Sequence, residues 1–313
     1  MAKHRVIVNP ISGRGKGERS IPEIQQHLGQ AGLDFDLVRT ERPWHAAELA
    51  RQAVEQGCQV VVAAGGDGTA NEVLNGLMQA RAANRGSPAA LGIICVGRGN
   101  DFAYGIGIPT GVEAGCRVVA QGHRRTIDVG LVTGGLYPQG RYFGNGVGIG
   151  FDAVVGFQAL KLRPLSGFVS YLIAALMTAF LYYRAPRVRV SFDGEEVEHK
   201  ALMVSTMNGR RLGGGFMMAP QGEIGDGLFD LCLVTEARPL RILGLIPHFM
   251  KGTQATQPEI RMVRARRVSV AALEGVLPAH ADGETLCVDG TELTMELLPG
   301  QMEALCEPGG EAR

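Results

Sequence analysis

A surplus of charge is the first thing this sequence lacks: 31 Lys and Arg balance 31 Asp and Glu, so the formal net charge is zero. A nucleic-acid binder needs excess cations to neutralise a phosphate backbone, so nucleic acid is excluded as the main partner. Patterned cysteine is missing too. The six cysteines at 58, 95, 116, 232, 287 and 306 show no paired spacing, and most sit in apolar runs. They read as core residues in a reducing compartment, not as a disulfide framework. The histidines, His280 included, show no metal-ligand spacing and read as structural. There is no internal repeat or low-complexity tract. Met1-Ala2-Lys3-His4-Arg5 leads straight into a strand with no signal-peptide pattern, so the expected location is cytoplasmic. Long uncharged runs are scarce as well. One, Pro164 to Tyr183, has the twenty residues a bilayer span needs. Ser166, Gly167, Ser170 and Thr178 dilute its hydrophobicity, and a buried helix is the expectation.

Glycine, by contrast, is plentiful, with 45 residues in a chain of 313, a length that accommodates two domains. The chain is organised around Gly65-Gly66-Asp67-Gly68-Thr69. This stretch follows the apolar run Cys58 to Ala63 and precedes a segment whose apolar positions 73, 74, 77 and 78 recur at helical spacing. A strand that ends in glycines and opens a helix suits phosphate. Backbone N–H groups approach its oxygens unhindered, and the helix N-terminus adds donors and a favourable dipole. Thr69 caps the helix or hydrogen-bonds a phosphate. Asp67 would repel a phosphate unless a cation lay between them, which points to Mg2+. The stretch is neither a Walker A loop, since no Gly-Lys-Ser/Thr follows, nor a Gly-x-Gly-x-x-Gly dinucleotide fingerprint.

Taken in order, Arg5 to Val8 is a strand ending in the glycine-rich turn Asn9 to Gly17. A helix over 18–28, a strand over 35–39 ending at Thr40, and a helix over 46–56 lead to the central motif. A fourth strand, Leu91 to Val96, ends in Gly97-Arg98-Gly99-Asn100-Asp101, and a helix over 112–120 follows. This alternation predicts an open parallel sheet wound with helices, with ligands beyond the carboxyl ends of its strands. Asn9 to Gly13, Thr40 and Gly65 to Thr69 all fall at those ends. From about residue 128 the chain turns to short alternating segments rich in glycine, and only 152–183 and 238–251 look helical. The domains are therefore drawn as 1–127 and 128–313.

Together these motifs resemble the diacylglycerol kinase catalytic-domain family of lipid kinases, which includes bacterial diacylglycerol kinases and eukaryotic sphingosine and ceramide kinases. The likeness rests on Asn9-Pro10-x-Ser12-Gly13, Gly65-Gly66-Asp67-Gly68-Thr69-x-Asn71-Glu72, Gly99-Asn100-Asp101-Phe102-Ala103 and Ile127-Asp128-Val129-Gly130. It continues in Gly148-x-Gly150-Phe151-Asp152-Ala153, Gly213-Gly214-Gly215-Phe216, Asp226-Gly227-x-x-Asp230 and Asp282-Gly283-Glu284. The resemblance implies an α/β nucleotide domain of NAD-kinase and diacylglycerol-kinase type, a C-terminal β-sandwich domain, and an active site in the cleft between them.

Carried over residue by residue, the resemblance places Asn9, Pro10, Ile11, Ser12, Gly13 and Thr40 along ATP. It puts Gly65, Gly66, Asp67, Gly68, Thr69, Asn71 and Glu72 at the phosphates. Asn100 belongs with them, as does Arg98 where the family has a small hydroxyl residue; Arg98 either reaches phosphate oxygens or crowds the site. Asp67, Asp101 and Asp128 would form an acidic cluster around Mg2+, partly through water; the alternative is that each caps a helix or turn. Asp226, with the carbonyls of Glu223 and Leu228, would hold a structural Mg2+, and an Asp-Gly turn at that place is compatible with it. Asp282 or Glu284 would take the proton from the acceptor hydroxyl. Helix 165–183, apolar on nearly every face, would help line an acyl pocket. The expected reaction is ATP- and Mg2+-dependent phosphorylation of a lipid hydroxyl, with diacylglycerol the first substrate. Partners would be a lipid at the inner face of the membrane, bound peripherally, and in a homodimer a second copy. An NAD kinase shares the Gly-Gly-Asp-Gly-Thr loop and is the nearest rival; a catalytically idle lipid-binding protein is the other.

Overall fold

The computed structural model describes residues 3–86, 88–97, 99–161, 173–174, 177–178 and 185–309. The expectations for Arg98 and, four positions aside, for helix 165–183 lie outside them. The chain forms two units, Met1–Val129 with Gly300–Arg313, and Gly130–Pro299. The C-terminal segment, assigned to the second domain on sequence, thus returns to the first.

In the first unit the elements run β1 His4–Val8, α1 Ser12–Arg19, α2 Ile21–Gln30, β2 Phe35–Arg39, α3 His45–Glu55, β3 Val60–Gly65, α4 Asp67–Ala82, β4 Ala90–Cys95, α5 Asp101–Ile106, α6 Val112–Gln121 and β5 Arg124–Gly134. The parallel order is β2-β1-β3-β4, with His4 level with both Phe35 and Val60, and Val60 with Ala90. β3 is buried along its whole length, as a strand covered on both faces must be. Val60, Val62 and Ala64 meet Ile24 and Leu28 of α2 and Cys116 and Val119 of α6 in one core; α3 and α4 pack together on the other side. The single helix expected over 18–28 is two pieces. Gly13, Arg14 and Gly15 take left-handed φ of 59°, 61° and 80°, so α1 is regular only in its last turn, and Pro22 opens α2 where its missing N–H costs nothing.

The second unit continues with β6 Tyr137–Phe143, β7 Gly146–Gly150, α7 Phe151–Lys161, β8 Arg187–Phe192, β9 Glu195–Met207, β10 Arg211–Leu212, β11 Phe216–Met217, β12 Phe229–Thr235, α8 Pro239–Lys251, β13 Ile260–Ala265, β14 Arg267–Glu274, β15 Leu277–Ala281, β16 Glu284–Gly290 and β17 Glu292–Leu305. β9 serves two sheets. Its first half pairs antiparallel with β8, and its second half lies between β7 and β12. Inward residues of both sheets make the sandwich core, with Phe143 stacked on Phe229 at 5.5 Å. A second core joins α7 and α8 to β9 and β12. β17 leaves the sandwich beside β14 and ends in the first unit, where Ala304 lies parallel to Leu91. All six cysteines are buried and none forms a disulfide, and burial pushes the Cys116 and Cys232 thiols up to about 12, which suits packing residues.

Candidate active site

In the first unit the sheet order reverses between β1 and β3, since β1 leads outward to β2 and β3 leads the other way to β4. Such a switch point leaves a crevice at the carboxyl ends of the two strands. The turn after β1 and the turn after β3 flank it and are tied across it: Asn9 N–H donates to the Ala64 carbonyl at 3.0 Å, and Asn9 Nδ2 donates to Thr69 Oγ1 at 3.1 Å. Thr40, past β2, donates its N–H to the Val8 carbonyl at 2.9 Å. Gly66 is the N-cap of α4, and the loop after β4 packs on it backbone to backbone. A Cβ on Gly97 would lie 2.4 Å from Gly66 Cα, which no side chain tolerates. Gly13 is pinned similarly, with φ +59° and room for a Cβ only 2.5 Å from the Val96 carbonyl oxygen. Four strand-end loops therefore close into one glycine-lined cradle at the N-terminus of a 16-residue helix. Ile11, 80% exposed, offers an apolar surface at its edge.

The carboxylates differ in their surroundings. Asp67 Oδ1 accepts the Phe102 N–H at 3.1 Å, which brings the start of α5 and buried Asp101 beside it; Oδ2 faces Gly99, whose missing Cβ would sit 2.7 Å away. Asp128, buried on β5, accepts the Gly300 N–H at 2.7 Å. Among the described residues no three His, Cys, Asp or Glu side chains stand close enough to enclose an ion. Asp67 and Asp128 each accept a backbone N–H, so the expected cluster with Asp101 would hold a cation through its remaining oxygens, water and phosphate. Asn71 is fully buried, and Glu72 accepts the Ala46 N–H at the head of α3, so both are engaged within the fold.

In the second unit Asp282 and Gly283 form a two-residue hairpin turn with φ of 48° and 84°, joining β15 to β16 with Ala281 opposite Glu284. Asp282 is buried. Its carboxylate accepts three backbone N–H groups, from Gly144 at 2.8 Å, Asn145 at 3.0 Å and Gly146 at 2.9 Å. It anchors the β6–β7 turn and is occupied there, whereas Glu284 is exposed. Of the two expected bases, Asp282 is engaged by the β6–β7 turn and Glu284 is exposed.

An apolar cavity of about 100 Å³ lies between α7, α8 and β9, walled by Phe151, Val155, Met203, Phe216, Leu245 and Phe249 among others. Its polar lining is Asp152 and His280, with Asp152 Oδ2 3.8 Å from His280 Nε2 and 3.4 Å from Ser205 Oγ. Burial pushes the Asp152 carboxyl above the ordinary carboxylate range, against the pull of His280. His280, read as structural, is thus a lining residue of this cavity. Strand registry alone brings it there, since His280 pairs with Gly148 and Asp152 follows four residues on. No local spacing signals it.

Around the Glu223–Leu228 loop the geometry is that of a turn. Asp226 Oδ1 accepts the Leu228 N–H at 3.0 Å, Gly227 has φ +79°, and Oδ2 pairs with Arg264. Burial first, then Glu223, pushes the neighbouring Asp230 carboxyl up to about 6, and Arg210 opposes this. Asp226 is thus shared between the turn and Arg264. Asp226→Ala, which opens the turn, is expected to lower the melting temperature by about 2–4 °C for a loss of about 1 kcal/mol. A chelator that lowers the wild-type melting temperature and not the variant's would put an ion on this loop.

The α/β unit with its cradle at the switch point and the β-sandwich unit define a two-domain protein of NAD-kinase-like fold. The diacylglycerol kinase catalytic domain profile matches residues 3–132, and that of the YegS C-terminal NAD kinase beta sandwich-like domain matches 145–306. The chain belongs to the diacylglycerol kinase catalytic-domain family, a family of lipid kinases. It is 30% identical over 286 residues to a diacylglycerol kinase of Bacillus subtilis (strain 168), covering 91% of this chain and 90% of that one. The crystal structure of a diacylglycerol kinase from Bacillus anthracis str. Sterne superposes with a TM-score of 0.74 at 23% identity, covering 99% and 98% of the two chains. An NAD kinase from Archaeoglobus fulgidus in complex with ATP shares the fold, with a TM-score of 0.52 at 15% identity over 96% and 93%. Among the described residues no helix is long and apolar enough to cross a membrane.

Proposed function

We propose that this protein transfers the γ-phosphate of ATP to the free hydroxyl of diacylglycerol, yielding phosphatidic acid. The observation that carries this reading is the apolar cavity of the second unit. A cavity walled by Phe, Leu, Met and Val suits part of an acyl chain and would reject the charged dinucleotide of an NAD kinase. Asp152 and His280 would hydrogen-bond the polar end of the lipid. The cradle of Asn9 to Gly13, Thr40, Gly65 to Thr69 and Asn100 would hold the nucleotide. Asp67 and Asp101 would hold magnesium, which supplies charge neutralisation on the phosphate oxygens, with phosphates and water as its other ligands. Glu284 accepts the hydroxyl proton as the new oxygen–phosphorus bond forms and the bond to the β-phosphate oxygen breaks. The enzyme works peripherally at the inner face of the membrane, where its lipid and cytoplasmic ATP meet.

Labelled ATP presented with a panel of lipids in mixed micelles, and separately with NAD, tests this reading. Label is expected in phosphatidic acid. Label in a dinucleotide, or turnover of none of these, would overturn it.

A further inference from the structure

α8 is apolar on two sides. Ile242, Leu245 and Phe249 are buried, and together with Ile246 they wall the lipid cavity. Leu240, Leu243, Pro247 and Met250 fall within one arc of the helix on the other side, at the i, i+3, i+7, i+10 positions. Leu240 is 77% exposed and Met250 47%. An exposed apolar stripe costs solubility unless something covers it.

Charge selects what covers it. The helix contains no acid, and Arg238 and Lys251 bracket its ends without an ion pair among the described residues. Arg241, in contrast, is taken up by Glu259 at 2.8 Å and stays with the fold. A second exposed apolar pair, Leu273 and Val276, flanks the Glu274–Gly275 turn, which lines one hollow with Arg238, Pro239 and Ile242. Apolar side chains between free cations match a bilayer with anionic headgroups. A second copy of this chain would bring the same cations against them.

Building on the lipid-kinase reading, we propose that the outer face of α8 is the membrane-docking surface, seated among the headgroups of an anionic bilayer. One helix then touches the bilayer with one face and walls the lipid cavity with the other, so docking puts the cavity next to its substrate.

The test uses the full chain and reads binding, not turnover. Wild type is floated with vesicles of phosphatidylcholine mixed with phosphatidylglycerol, and with phosphatidylcholine alone. It is expected to float with the mixed vesicles. Leu240→Ser with Met250→Ser should weaken that binding about tenfold or more, the cost of removing two buried apolar side chains. Arg238→Gln with Lys251→Gln should weaken it on anionic vesicles only, as added salt does for wild type. Melting temperature and turnover of a water-soluble short-chain diacylglycerol should stay unchanged in the Leu240/Met250 variant, neither residue lining the cavity. Equal flotation of that variant and wild type overturns the proposal, as does failure of wild type to float. A variant that goes from dimer to monomer with vesicle binding intact assigns the face to a second copy instead. If wild type floats through this face yet phosphorylates no lipid, the docking surface stands and the kinase reading falls.

Discussion

Glu284→Gln is expected to lower kcat about a hundredfold or more while nucleotide affinity and melting temperature stay close to wild type. The contrast with Asp282 gives the experiment its force. Asp282 receives three backbone N–H groups inside the protein. Asp282→Asn keeps one acceptor oxygen and turns the other into a donor that faces a donor. One buried N–H then loses its partner, at a cost of about 1–3 kcal/mol. That variant should lose melting temperature first and activity only as a consequence. Glu284 opens β16 with its side chain exposed, so neutralising it leaves the hairpin intact. A carboxylate is a weak base for a ground-state alcohol. Its proton transfer therefore belongs late, when the lipid oxygen is already bonding to phosphorus and has become acidic. Neutralising the acceptor slows that step and nothing upstream of it. Full kcat in Glu284→Gln would put the base elsewhere and leave the hairpin a scaffold.

The strands of the first unit were legible because burial on both faces forces unbroken apolar runs such as Val60 to Ala64, and because a strand end that must approach phosphate shows as glycine. The second unit was legible as β-sandwich from its alternation, but its pairing was not. Nothing local to 292–305 tells that β17 starts beside β14 and ends beside β4, because a strand's partner is set by contacts far away in sequence. The same holds for function. Asp282-Gly283-Glu284 was visible as a motif. Which acid is structural depended on the Gly144–Gly146 turn, which comes to Asp282 only through the pairing of β7 with β15. The Asp152–His280 contact has the same origin. The acids carry two roles for a local reason. Three acids in this order suggest shared ligation, but a carboxylate also serves as the acceptor for backbone N–H groups, and Asp67 and Asp128 each do that.

That double duty makes Asp67→Asn the sharper test of the nucleotide cradle. Asparagine keeps the shape of aspartate, and its Oδ1 can still accept the Phe102 N–H at the start of α5. Space around the other oxygen is already provided, since Gly99 has no Cβ to collide with an amide. The fold of the cradle should therefore survive, with the melting temperature near wild type. What disappears is the negative charge beside Asp101 at the head of α4. If Asp67 only pins the loop after β4, this variant should work almost normally. If it holds a cation against the triphosphate, turnover should fall by about a hundred- to a thousandfold, the scale of losing a transition-state charge contact. Raising magnesium should recover only part of it, because the missing ligand is on the protein. The measurements are kcat, ATP affinity and magnesium dependence for the variant and for wild type, alongside melting temperature. A stable Asp67→Asn protein with wild-type kcat at low magnesium would remove Asp67 from the metal site and leave the cradle a purely backbone phosphate site.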